Sequence, residues 1–177
     1  QIGDRPLIRR MEDTVEDMEA TLETLLMLAR TEQKQPDSED VNVNDLAVNL
    51  MERLSPLADR KQIRLQVRQT ALLTVHSPEV ALTIVLTNLV RNAINYSGSG
   101  DVTILVAEKT VHVVDYGAGM DAEELARVLK PFERGQSQEG GHGLGLAIVQ
   151  RLCERYHWQL MVTSAPGRGT EVAIRFS

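Results

Sequence analysis

One apolar seam near the start of the chain constrains the fold more than any other feature. Met11, Val15, Met18, Leu22, Leu25 and Ala29 recur at alternating steps of four and three residues. That period belongs to a coiled coil or an antiparallel helical bundle. Leu26 and Leu28 widen the stripe, and Pro36 ends it. The pattern predicts a helix from about Asp4 to Gln35, and a helix of about 30 residues is roughly 45 Å long. Such a helix cannot bury its own seam. It requires a second copy, a partner helix from elsewhere, or a resting place on the chain's own remainder. The polar run from Gln35 to Asp40 reads as a linker. The rest of the chain is of a size that suits one compact domain of about 100–150 residues.

In that second unit the period changes repeatedly. Asn44 is a candidate cap for a helix to about Arg60, with Leu46, Leu50, Leu54 and Leu57 on one face and a kink expected at Pro56. Ile63–Val67 and Leu72–His76 have strand character. Ser77-Pro78 marks a helix start, and that helix runs to Tyr96, where Ser97–Gly100 breaks it. A hairpin comes next, Val102–Ala107 and Val111–Val114, turning at Glu108–Lys109. Asp121 with Glu124 resembles a capping box for a helix to Lys130. The glycine-rich stretch Pro131–Gly143 leads into a helix from Leu144 to about His157. Two strands, near Gln159–Ser164 and Glu171–Phe176, flank the last turn. This order predicts an α/β fold, a two-layer sandwich with helices on one face of a mixed sheet. With aromatics at 3%, its core must come from Leu, Val, Ile, Ala and Met.

Bulk properties exclude some functions. A formal charge of −6 provides no basic face for nucleic acid. The single cysteine, Cys153, excludes an intramolecular disulfide and fits a reducing compartment. No run of about 18 apolar residues and no signal-peptide pattern occurs.

Four constellations carry chemistry. In NLVRNAINYS, Asn88 and Asn92 share a helical face, with Asn95 and Tyr96 a turn later. Carboxamides so placed offer oxygens to a hard cation and N–H groups to phosphate, although surface asparagines would look the same. In VVDYGAGM, Asp115 follows a strand and precedes Gly117 and Gly119. A carboxylate there accepts a hydrogen bond from an exocyclic amine such as that of adenine, although any Asp-Gly turn has this form. In GHGLGLAIV, Gly141, Gly143 and Gly145 precede and enter a helix, where free amides suit phosphate oxygens. In PFERG, Arg134 is the only cation of the motif, either solvated or reaching a terminal phosphate. Neither a dinucleotide-binding GxGxxG nor a Walker-type GK[ST] is present.

Taken in order, N-x-x-x-N, D-x-G-x-G, P-F-x-R-G and G-x-G-L-G-L resemble the catalytic ATP-binding domain of sensor histidine kinases. That domain is part of the GHKL superfamily, with DNA gyrase, heat-shock chaperone ATPases and mismatch-repair ATPases. The resemblance spans about Val41 to Phe176. It implies a Bergerat-type ATP-binding fold over residues 44–177, a linker over 36–43, and, from LETLLMLARTE, the second helix of a dimerisation and phosphotransfer hairpin over 1–35. It also implies roles. Asn88 would bind Mg²⁺, and Asn92 the metal or phosphates. Tyr96 would lie against the nucleotide, and Asp115 would bond the adenine amine. Gly117 and Gly119 would make room for the base, beside Met120. Pro131–Gly143 would be a lid bringing Arg134 to the γ-phosphate. Gly141, His142, Gly143, Leu144 and Gly145 would line the phosphate side, and Thr170 would help hold Asp115.

Two positions depart from the family pattern. Where a Lys, His or Arg often precedes the tyrosine, this chain has Asn95, so Arg91, Arg134 or His142 compensates or phosphate binding is weaker. Ser77-Pro78 stands where Asp-Pro is usual. None of His76, His112, His142 and His157 has the phosphoacceptor context. His76 and His112 read as structural, His142 as a lid residue, and His157 as a helix end. Cys153 and Trp158 read as core. The expectation is thus an ATP-dependent protein-histidine kinase fragment using ATP and Mg²⁺, unable to phosphorylate itself alone. It would come from the cytoplasmic part of a bacterial inner-membrane sensor, homodimeric in its parent, with a response-regulator receiver domain as partner. The alternatives are a nucleotide-binding sensor or interaction module without transfer, and another ATPase of the superfamily.

Overall fold

The structure, a computed structural model, describes residues 37–98, 100–128 and 144–177. The segment expected to form the long opening helix and the whole of the glycine-rich stretch 131–143, Arg134 included, lie outside the described residues. Within them the order is β1 (Glu39–Asn42), α1 (Val43–Arg60), β2 (Ile63–Gln69), β3 (Thr74–Ser77), α2 (Glu79–Tyr96), β4 (Gly100–Ala107) and β5 (Thr110–Asp115). Then come α3 (Ala122–Val128), α4 (Leu144–Tyr156), β6 (Gln159–Ala165) and β7 (Gly169–Arg175).

Five strands form one sheet in the order β2-β4-β5-β7-β6. Only β2 and β4 run parallel, and α2 lies in the connection between them, as a parallel crossover requires. The remaining pairs are antiparallel. The sheet is mixed, as expected. Alternation assigns its faces. Val102, Ile104, Val106, Val111, Val113 and Ile174 are fully or almost fully buried and share one face, as the register shows. Helices α1 and α2 pack on that side, and α4 packs on α2 and β6. The opposite face carries Arg64, Gln66, His112, Glu171 and Arg175.

The apolar stripe of α1 is buried as its spacing predicts, and the helix continues through Pro56 to Arg60. Its cap differs from expectation. Asn42, not Asn44, accepts from the Asn44 and Asp45 amides, at 3.0 and 3.3 Å, and its Nδ2 donates to Asp45 Oδ2. Asn44 turns inward instead and is 3% exposed. Its Nδ2 donates to the Ala71 carbonyl and its Oδ1 accepts from the Leu73 amide, each at 2.9 Å. A buried carboxamide must satisfy both ends, and the 71–73 turn does so.

The expected linker also contains structure. Glu39–Asn42 forms a strand paired antiparallel with β3. The expected strand at Leu72 starts two residues later, and Leu72 is 87% exposed. Ser77 does not cap α2. It lies buried in β3, and Pro78 holds the cap position with no side-chain bond. At α3 the Glu124 amide donates to Asp121 Oδ1 at 2.8 Å, as the capping box predicted.

The two strand histidines have structural partners. His76 pairs with Asp40 at 2.8 Å, and His112 meets Glu171 at 2.7 Å and Thr110 at 3.0 Å. Trp158 stacks on Tyr156 and meets Phe176 edge-on. Cys153 is buried, and burial pushes its thiol up to about 12.

Candidate functional site

Helix α2 supplies the first wall. Asn88, Asn92 and Asn95 fall on one face by their spacing, and Tyr96 ends the helix half-exposed at 46%. Asn88 Nδ2 donates to the Ile84 carbonyl at 2.8 Å, which fixes the carboxamide plane and leaves its oxygen toward α4. At Gly145, in the first turn of α4, a Cβ would lie 3.0 Å from Asn88 Oδ1 and 3.4 Å from the Asn92 carboxamide. The absent side chain therefore lets the start of α4 approach both asparagines. Leu144 is the first residue of that helix. Gly141, His142 and Gly143 lie outside the described residues.

The second wall is the end of β5. Asp115 is 6% exposed. Its Oδ1 accepts from the Gly117 amide at 2.9 Å and the Thr170 amide at 3.3 Å. Both bonds converge on one oxygen, so Oδ2 has no donor among the described residues. Burial raises the carboxyl's pKa above its ordinary 3.8, and the two amide bonds oppose that rise. Thr170 thus holds Asp115 through its backbone, opposite it in the β5–β7 register. Its hydroxyl goes elsewhere, to Ser164 Oγ at 2.9 Å.

The loop after Asp115 is fastened to the β6–β7 hairpin. The Met120 amide donates to Ser164 Oγ at 2.9 Å, and the Gly167 amide donates to the Ala118 carbonyl at 2.6 Å. The glycines here leave room, but the protein's own backbone occupies it. A Cβ at Gly117 would overlap the Tyr96 carbonyl, and one at Gly119, whose φ is +66°, would overlap the Ala165 carbonyl. Gly117 therefore joins the two walls directly, since Tyr96 closes α2.

Three residues of this region were not singled out from the sequence. Ser164 is one. Ser97 is another: its Oγ is buried without a hydrogen-bond partner, next to the Gly117 contact. Such an orphaned hydroxyl fits a place that a ligand or water completes. Lys61 is the third. Its ammonium donates to Asn95 Oδ1 at 2.6 Å, at the position where the sequence lacks a cation. The Ser164–Met120 and Lys61–Asn95 contacts join residues 44 and 34 positions apart, so no local pattern announces them.

Known proteins share this fold. The sensor-like histidine kinase SenX3 of Mycobacterium tuberculosis is 32% identical over 167 residues, covering 89% of this chain and 40% of that protein. The chain thus spans less than half the length of that relative. Among solved structures, full-length ShkA in complex with AMPPNP superposes with a TM-score of 0.76 at 27% identity, over 90% of this chain and 36% of that one. The mycobacterial sensor histidine kinase MprB gives 0.67 at 25% identity, over 78% and 96%. The family described as Histidine kinase-, DNA gyrase B-, and HSP90-like ATPase matches residues 77–177, which is more than half of the 177 residues. The fold, the motifs and these matches agree, and the chain belongs to that ATPase family.

Proposed function

We propose that this chain is the catalytic part of a two-component sensor histidine kinase, binding Mg-ATP and delivering its γ-phosphate to a histidine outside the chain. One observation carries the reading: Asp115, buried at the end of β5, has Oδ1 filled by two amides and Oδ2 left to accept. That is the disposition needed to select an exocyclic amine such as adenine's. The similarity to ShkA, solved with AMPPNP, supports the same ligand class.

Asn88, oriented through Ile84, and Asn92 would hold Mg²⁺ and phosphate oxygens, and the start of α4 would face the same oxygens with its amides. The carboxamide oxygens of Asn88 and Asn92, with the phosphate oxygens of the nucleotide, would be the donors to that ion. The bound ion would offset charge on the phosphates. The chain's own part is to hold the base at Asp115, orient the phosphates along α2, and bring Arg134 and the lid over them. Transfer would form a bond from a histidine ring nitrogen to the γ-phosphorus and break the bond to the β–γ bridging oxygen, with ADP as leaving group. Positioning and charge stabilisation supply most of the catalysis in such reactions. In the intact protein the phosphate would pass to the receiver domain of a response regulator, within a homodimeric kinase on the cytoplasmic side of the membrane. Among the described residues no helix is long and apolar enough to cross a membrane.

The test is to mix the purified chain and γ-labelled ATP with a separate helical hairpin that carries an acceptor histidine. Acid-labile label is expected on the hairpin and none on the chain alone. Nucleotide binding without transfer would favour a sensor module, and absence of binding would overturn the proposal.

A further inference from the structure

Helices α1 and α2 are tied twice, by Arg53 Nη2 to Thr87 Oγ1 at 2.9 Å and by Lys61 Nζ to Asn95 Oδ1 at 2.6 Å. Both ties join residues 34 apart in sequence. The two helices therefore run parallel, with their C-terminal ends level. That shared end is also where Gly117 packs on Tyr96 and where the asparagine face of α2 finishes. Lys61 is the residue that caps α1. Its partly buried ammonium sits on a neutral carboxamide, and no ion pair joins it to an acidic group among the described residues. Two of its three donors remain beyond the Asn95 bond. No basic residue lies in the last turn of α2.

From this we infer that Lys61 supplies, from a neighbouring helix, a positive charge to the polyphosphate of the bound nucleotide, with Asn95 as the residue that positions it. The inference rests on the ATP-binding reading above. It assigns to α1, a helix outside every motif of the site, a direct part in reading phosphate. A purely structural task is the competing account: a cation at the end of α2 also offsets the negative end of the helix dipole. That task would show in stability and not in how affinity depends on phosphate number.

The experiment is displacement of a fluorescent ATP derivative by ATP, ADP and AMP, on the whole chain and on three variants: Lys61→Gln, Asn95→Ala, and Lys61→Gln combined with Asn95→Lys. Loss of one charge-assisted contact predicts about tenfold weaker ATP binding by Lys61→Gln, with AMP affected less than about threefold, so the ATP-to-AMP affinity ratio shrinks. Asn95→Ala should give a smaller loss of the same kind. The double variant should restore the ratio, because the cation returns on α2 itself. Thermal melting of each variant accompanies the titrations. An unchanged ATP-to-AMP ratio in Lys61→Gln overturns the inference and leaves the ATP site standing. Failure of the unsubstituted chain to bind any of the nucleotides overturns the ATP reading itself, and this inference with it.

Discussion

Replacing Asp115 by Asn separates what this residue does for the ligand from what it costs the fold. The two side chains have the same shape. An Asn Oδ1 can still accept from the Gly117 and Thr170 amides, but the second position becomes an NH₂ donor that would face the donor amine of the proposed adenine. Loss of a hydrogen bond to a charged acceptor costs about 1.5–3 kcal/mol, which is about 10- to 150-fold in affinity. Calorimetric titration of ADP into both proteins measures it. Stability should move in the opposite sense with pH. The folded carboxyl has a raised pKa, chiefly from burial, so the folded state binds more protons than the unfolded one above pH 3.8. This carboxyl's contribution to stability is therefore fully present below that value and is lost as pH rises through the folded pKa. The Asn variant has no such titration. Its stability relative to wild type should improve from about pH 4 upward and then level off, as followed by urea melts. Affinity within about threefold of wild type would refute the role of Oδ2. A stability difference that moves against the variant as pH rises would refute the burial argument.

Asn44→Ala should cost about 2–4 kcal/mol, since it strands a partly buried carbonyl and a buried amide, while Asn42→Ala removes a helix cap and should cost about 1 kcal/mol. Denaturant melts with unchanged slope would show the order, and a reversed order would contradict the inward placement of Asn44. Gly119→Ala and Gly167→Ala both face positive φ, at +66° and +72°, but only the first meets backbone. The φ term is about 1–2 kcal/mol for each, so Gly119→Ala should be the more destabilising in thermal melts and should also weaken ADP binding. Cys153, with its thiol pushed up to about 12, should resist iodoacetamide at about pH 8 in the folded protein and react at once in urea. Fast labelling of the native chain would count against its burial.

Much of this was legible because it is periodic or punctuated. The leucine stripe of α1, the β4–β5 hairpin and the final strand pair follow from spacing and turn residues, and the motif order placed Asp115 and the α2 asparagines together. Other features depend on contacts distant in sequence. β1 is four residues long, EDVN, with one buried side chain. Its polar composition reads as a linker until β3 lies beside it. Asn42 and Asn44 are chemically identical candidates, and only the 71–73 turn decides which one goes inside. Ser164 and Lys61 belong to the site through residues more than 30 positions away.

The short β1–β3 pair has a mechanical consequence. β1 receives the chain directly from the segment that precedes it, and β3 passes through Pro78 into α2. Four register pairs, with Asp40 and His76 clasped across one rung, make these two strands a coupling plate. A torque or pull arriving at residue 38 runs along the chain through β1 into α1 and, across the plate, through β3 to the base of α2. Asn88, Asn92 and Asn95 lie on the second of these branches, in the half of α2 that is farther from Pro78.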